Sequence, residues 1–395
     1  MNWWLHAPSE VFWVLIPFDA LVLVLWLQVI PYPRMPQQPR WQKIAMTCTL
    51  IAFPVLFYGG LVWLCDAPMS WRELLIVSYF FVFCLELPLV YGFGAMETFL
   101  DWLKPKYGQR QFVLVQGVTK TCFYLMLVPC LLSVFAIHRP KLLPREFEFV
   151  NDSLVESISF PSREAHPLQL KGELLKHPRP QGTVIICHGV GANRSDISLM
   201  VEEVYRAGFH CLTFDFRGHG ESDGHTITYG YRERCDILGA YDYCLQRTDL
   251  NAPLYALGVS MGGSSLLLAL PEMPKVKAAI VDSAFADLNA MVDHQLRFFP
   301  SAIRYPLNRV AATVAWLETG ANVDAIRPID ALAHIDCPVT LIHGAEDLIV
   351  PVSHGQQMSL LGMTYHEQPN AGHIGTAVVN PIAYRQLIRD SFTFD

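Results

Sequence analysis

Two serines occupy the spacing Gly-x-Ser-x-Gly, in Gly220-Glu-Ser-Asp-Gly224 and in Gly258-Val-Ser-Met-Gly262. Glycines on either side let the chain turn sharply enough to present the serine hydroxyl as a nucleophile toward a carbonyl carbon. Chance supplies such a match in roughly one chain of this length in ten, so the flanking residues have to decide. Ser260 follows the apolar run Leu254-Tyr-Ala-Leu-Gly-Val259 and opens Gly262-Gly-Ser-Ser-Leu-Leu-Leu-Ala-Leu270, small then apolar, as suits a helix lying close on a sheet. Ser222 lies in the polar segment Arg217-Gly-His-Gly-Glu-Ser-Asp-Gly224 with no helical pattern behind it. Ser260 is therefore the candidate nucleophile, and the glycines around Ser222 read as a tight turn beside the site.

A serine hydroxyl is a poor nucleophile until an imidazole takes its proton, and a carboxylate must hold that imidazole in one tautomer. Of the fourteen histidines, His354, His366 and His373 follow the next-to-last predicted strand. His354 falls on a predicted helix and His366 inside the last predicted strand, Thr364 to Glu367. His373, in Pro369-Asn-Ala-Gly-His373, is left on a loop beyond a strand end. Two acids, Glu346 and Asp347, compete at the end of His343-Gly-Ala-Glu-Asp347. Backbone N–H groups for the oxyanion come from Met261, next after the serine, and from Val190, on the loop after Cys187-His188-Gly189. His188 reads as a structural histidine beneath that loop.

These residues need elements to carry them. Thr183-Val-Ile-Ile-Cys187, Cys211-Leu-Thr-Phe214, Leu254 to Val259, Ala278-Ala-Ile-Val281 and Val339-Thr-Leu-Ile342 are short, continuously apolar runs separated by helix-like segments. That alternation predicts a mostly parallel sheet covered by helices on both faces, with the ligand beyond the carboxyl ends of the strands. Before it, Glu146 to Val150 and Leu168 to Leu174 alternate and predict antiparallel leading strands.

Several segments in the same order resemble the α/β-hydrolase superfamily, most closely its serine aminopeptidase-like and prolyl-oligopeptidase-like branch of bacterial hydrolases. They are His188-Gly189, Asp215-Phe-Arg-Gly-His-Gly-Glu-Ser222, Gly230 with Glu233 and Asp236, Gly258 to Gly263, Asp282-Ser-Ala-Phe-Ala-Asp287, His343-Gly344 with Asp347, Val350 and Pro351, and Gly372-His373. The likeness covers roughly residues 150 to 395. It implies an α/β fold, the order serine, acid, histidine, and Asp347 as the acid, because the Val350-Pro351 turn leaves it where acids of this fold stand. It also implies a helical lid at about 284–335, where Phe298, Phe299, Tyr305 and Trp316 either line an acyl pocket or pack as a helix pair.

Composition divides the chain. It is 52% hydrophobic and only 16% charged, whereas a soluble enzyme has about a quarter charged residues. Residues 1–138 carry eight of the 29 basic and seven of the 36 acidic side chains, which leaves 139–395 acidic and argues against nucleic acid as a partner. Four stretches, about 11–30, 44–64, 74–94 and 121–137, are long enough for a bilayer core of about 30 Å and predict an all-α transmembrane region. The first lacks a basic leader and a cleavage site, so it reads as an anchor. Lys/Arg in the first and third loops place the N-terminus and the catalytic domain outside, in a bacterial inner membrane. Arg139, Lys141 and Arg145 after the fourth stretch and five cysteines in the catalytic half point the other way, so the side stays open. No Cys-x-x-Cys pair or zinc spacing occurs, and neither metal nor organic cofactor is expected.

The expectation is thus a membrane-anchored serine hydrolase that cleaves a carboxylic ester or thioester of a small-molecule or lipid acyl substrate. A serine peptidase is the first alternative, with Asp293, Glu318 or Asp324 to hold a substrate amine. A receptor or scaffold that kept the fold and lost turnover is the second.

Overall fold

The computed structural model describes residue 96 and residues 99–392 except 140, 251 and 252, with the backbone alone for 121–129, 131 and 132. The chain divides into two units, Met1–Phe135 and Ala136–Asp395. The apolar stretches 11–30, 44–64 and 74–94 lie outside the described residues. The fourth, 121–137, forms the latter part of helix α1 (Gln109–Ile137). Among the described residues no helix is long and apolar enough to cross a membrane, so that fourth span is not shown.

The second unit is built on one eight-stranded sheet. Its strands are β1 (Val155–Pro161), β2 (Gln169–Leu175), β3 (Thr183–Cys187), β4 (His210–Phe214), β5 (Leu254–Val259), β6 (Val276–Asp282), β7 (Val339–Gly344) and β8 (Thr364–Gln368). They lie in the order β1-β2-β4-β3-β5-β6-β7-β8. β2 pairs antiparallel with β1 and with β4, and the remaining neighbours are parallel. The register sets Cys187 beside Gly258, Gly258 beside Val281, and Asp282 beside Ile342. Four strands therefore end at nearly one level, and the loops that follow them share one edge.

Alternate side chains of the central strands enter two different apolar clusters. Ile185, Ala256, Ala279 and Val281 face one, which also holds Met261, Leu266 and Tyr241. Val184, Ile186, Tyr255, Leu257 and Ile280 face the other, with Val201, Val204, Tyr384, Ile388 and Phe392. Both faces are buried, so the strands read as continuous apolar runs rather than alternating ones. Helices α2 (Ser198–Ala207) and α8 (Pro381–Phe392) cover one face, and α3 (Glu233–Gln246) and α4 (Met261–Ala269) the other.

One predicted strand is corrected. Residues 146–150 are turn and irregular chain, and the leading strand is β1 instead. The alternation of Glu146 to Val150 has a different cause: Phe147 is buried in the cluster that holds Leu175 and Val184, on a segment that pairs with no strand. The 284–335 segment holds α5 (Leu288–Gln295) and α6 (Ser301–Thr319). Its Phe298, Phe299, Tyr305 and Trp316 are all exposed. α7 (Val352–Ser359) then lies between β7 and β8.

Candidate active site

Ser260 joins β5 to α4 at φ 52° and ψ −123°, a backbone geometry that non-glycine residues avoid and that persists only where the surroundings impose it. The neighbours show why they are glycine. A Cβ on Gly258 would stand 2.7 Å from the Gly262 carbonyl oxygen, and one on Gly262 would stand 2.3 Å from that of His188. The turn thus brings α4 into backbone contact with the loop after β3, and it leaves the Ser260 side chain at the edge of the sheet. The Ser260 N–H is held by the Asp282 carbonyl at 2.8 Å.

The three predicted side chains meet. His373 Nε2 lies 2.9 Å from Ser260 Oγ, and His373 Nδ1 lies 2.8 Å from Asp347 Oδ2. Asp347 Oδ1 accepts the N–H groups of Ile349 and Val350, each at 2.9 Å, so the Val350-Pro351 turn fixes the carboxylate's orientation. His343 Nε2 approaches Asp347 Oδ2 at 3.4 Å and bonds the Val350 carbonyl at 2.9 Å. Burial pushes the Asp347 carboxyl up, but the adjacent His373 and the hydrogen bonds from His343 and His373 hold it well below the usual carboxylate range. An ionised Asp347 accepts a proton-bearing Nδ1, which leaves Nε2 as the basic nitrogen facing the serine. Glu346, the competing acid, is exposed. His366 is exposed on β8, while His354 is buried on α7, where its Nδ1 accepts the Ala286 N–H at 3.2 Å.

Val190 sits one residue past Gly189, whose Cα faces Ser260: a Cβ there would stand 3.3 Å from the serine Cβ. Met261 is the first residue of α4, where backbone N–H groups have no partner within the helix. The loop that carries Val190 is supported from beneath. His188, fully buried, accepts the Phe216 N–H at Nε2 (3.0 Å), and its Nδ1 bonds the Gly189 carbonyl at 2.7 Å. His219 Nε2 accepts the Gly191 N–H at 3.0 Å. Burial pushes both imidazoles below their ordinary range, so both stay neutral and keep an acceptor nitrogen. The 215–222 turn is itself clamped by two buried pairs, Asp215 with Arg194 and Asp236 with Arg217. Ser222 belongs to that clamp: its Oγ donates to the Asp215 carbonyl at 2.5 Å and accepts the Lys171 N–H at 2.8 Å.

Sequence reasoning missed the second imidazole on Asp347. It also missed the left-handed backbone of Ile374 (φ 48°), directly after His373. No residue pattern signals either one: the first arises from the curl of the chain after β7, and the second places a β-branched residue where glycine is usual. Among the described residues no group of three His, Cys, Asp or Glu side chains could hold a metal ion. Cys187, Cys211, Cys235, Cys244 and Cys337 are free thiols.

Known proteins share this frame. The model of the serine aminopeptidase S33 family matches residues 178–328, a span that includes Ser260 and ends before Asp347 and His373. An uncharacterized protein of Bacillus subtilis, YqkD, is 28% identical over 207 residues, covering 52% of this chain and 68% of that protein. A lysophosphatidylserine lipase of Danio rerio, ABHD12, is 26% identical over 186 residues, 44% of this chain and 46% of the lipase. An esterase of Pyrococcus furiosus superposes with a TM-score of 0.51 at 19% identity, over 64% of this chain and 96% of the esterase. Strand order and helix layers, together with these likenesses, give residues 136–395 the α/β-hydrolase fold.

Proposed function

We propose that this unit is a serine hydrolase that cleaves a carboxylic ester or thioester through an acyl-enzyme. The observation that carries the reading is the unbroken hydrogen-bonded line from Ser260 Oγ through His373 to Asp347. His373 Nε2 takes the hydroxyl proton as Ser260 Oγ attacks the acyl carbon, and the N–H groups of Val190 and Met261 receive the negative charge on the carbonyl oxygen. The imidazolium, stabilised by Asp347, then protonates the departing alcohol or thiol, leaving an ester on Ser260. Water enters, His373 takes its proton, and the acid is released as the hydroxyl re-forms.

Two observations favour an ester over a peptide. The esterase and lipase among the similar proteins are named for ester chemistry. Each acid expected to hold a substrate amine is already engaged: Asp293 by Arg304 at 3.0 Å, Glu318 by His138 at 2.8 Å and Asp324 by Arg309 at 2.8 Å. The serine aminopeptidase family model keeps the peptidase as the second reading. Purified full chain is expected to hydrolyse p-nitrophenyl acyl esters at rates that depend on chain length, and Ser260→Ala to lose about 10⁶-fold in kcat, as expected when a relay serine is removed. Faster cleavage of aminoacyl p-nitroanilides than of esters would select the peptidase.

Anchoring in a bacterial inner membrane is part of the same proposal. It rests on the apolar stretches 11–30, 44–64 and 74–94, each long enough for a bilayer core. A membrane location suits a lipophilic acyl substrate.

A further inference from the structure

Asp282 and Ser283 close β6, and the proton relay assigns neither a role. Both are fully buried. Their polar atoms reach the three arms of the site. The Asp282 carbonyl accepts the Ser260 N–H at 2.8 Å, and the Ser283 N–H donates to the Ile342 carbonyl at 2.9 Å, on the strand that leads to Asp347. Ser283 Oγ accepts the Ile374 N–H at 3.1 Å, on the residue that follows His373. The Ser283 hydroxyl proton goes to Asp282 Oδ1 at 2.9 Å.

That last bond decides what the serine can do for its neighbour. A hydroxyl has one proton, so directing it at Asp282 leaves a lone pair for the Ile374 N–H. Ile374 needs that acceptor. With His373 it forms the middle of a turn closed by the Gly375 N–H to the Gly372 carbonyl at 3.1 Å, and its φ is 48°. A β-branched residue holds such a backbone only when several contacts impose it. One is the packing of the Ile374 side chain against the cluster that contains Ala377 and Tyr384; the other is Ser283. The orientation of this turn sets where the His373 ring stands.

We propose that Ser283, oriented by Asp282, is a positioning residue for His373: its hydroxyl pins the turn that aims the imidazole at Ser260. The proposal rests on the reading of Ser260 as an acylated nucleophile. Ser264 offers a contrast within the same layer. Its buried Oγ bonds the Phe285 N–H and carbonyl, each at 3.0 Å; its N–H makes the helical bond to the Ser260 carbonyl at 3.0 Å, but its hydroxyl, the group that alanine removes, bonds none of the three arms.

The test compares wild-type full chain with Ser283→Gly, Asp282→Asn, Asp282→Leu and Ser264→Ala. The readouts are steady-state p-nitrophenyl ester kinetics across pH, the rate of labelling by a fluorophosphonate, and the thermal midpoint. Ser283 has a φ of 56°, so glycine removes the hydroxyl without adding backbone strain. Ser283→Gly is expected to lower kcat and the labelling rate about ten- to hundredfold with KM nearly unchanged, as a misplaced base does, and to shift the ascending limb of the pH–rate profile. Asp282→Asn keeps an oxygen acceptor for the hydroxyl and should retain most of the rate. Asp282→Leu removes the acceptor and should lose rate as Ser283→Gly does. Ser264→Ala should lose stability and keep kcat. Wild-type kcat in Ser283→Gly overturns the proposal, as does an equal loss of kcat in Ser264→Ala. Should Ser283→Gly fail to fold, wild-type kcat in Asp282→Leu overturns it as well. A wild-type chain that neither labels nor hydrolyses removes the nucleophile reading, and this one with it.

Discussion

Asp347 to Asn is the substitution that isolates the tautomer argument. The amide keeps the size and can still accept the Ile349 and Val350 N–H groups, but it presents a donor where His373 Nδ1 needs an acceptor. The imidazole then turns its proton toward Ser260 and loses its basic nitrogen there. A fall in kcat of about 10⁴-fold with little change in KM is predicted, measured on the same p-nitrophenyl esters; a loss under about tenfold would place the acid elsewhere. At this scale the sequence was legible because reactive residues follow apolar strands in a set order. Ser260 and His373 were singled out by the strand before each, whereas Asp347 over Glu346 required the family likeness. Asp282 and Ser283 open the family-like segment Asp282-Ser-Ala-Phe-Ala-Asp287, yet nothing in their types distinguishes a pinning pair from any strand end.

The elements around the site are joined by imidazoles that must stay neutral. His354 on α7 accepts the Ala286 N–H, which ties that helix to the loop after β6. Burial, reinforced by nearby His343, lowers its pKa to about 4. An unfolded histidine takes its proton near pH 6.5, so between 6.5 and 4 the unfolded chain binds a proton that the folded one refuses. The stability contributed by His354 is full above 6.5 and falls as pH drops toward 4, by about 3 kcal/mol over that window. Urea unfolding midpoints at pH 7 and pH 4.5 should therefore differ less in His354→Asn, which can still accept the N–H, than in wild type. Equal pH dependence in the two would contradict the linkage. The parallel core strands were readable from their apolar runs, because both of their faces are buried. The leading strand was misread because a single buried aromatic, Phe147, imitates an alternating pattern without any strand pairing.

For the whole molecule, the contrast between the apolar N-terminal third and the acidic catalytic unit is the feature that composition makes plain. Charge density and hydropathy are summed properties that need no fold, so they survive in the sequence where lid geometry does not. Phe298, Tyr305 and Trp316 were readable as aromatic, but their exposure on α6 and the turn before it depends on packing that periodicity alone does not determine. If the stretches 11–30, 44–64 and 74–94 span a bilayer, the full chain should stay with the membrane pellet through high salt and alkaline carbonate and leave it only in detergent. Release by carbonate would reduce the N-terminal region to a peripheral or soluble segment and leave the chemistry at Ser260 untouched.

That chemistry has one direct measurement. Detergent-solubilised full chain, reacted with a fluorophosphonate and digested, should carry a single adduct on the peptide containing Ser260. The adduct should persist in Ser222→Ala and vanish in Ser260→Ala. An adduct on another serine, or no adduct in a folded wild-type chain, would contradict the account, and the second result would favour a receptor or scaffold that kept the fold without its turnover.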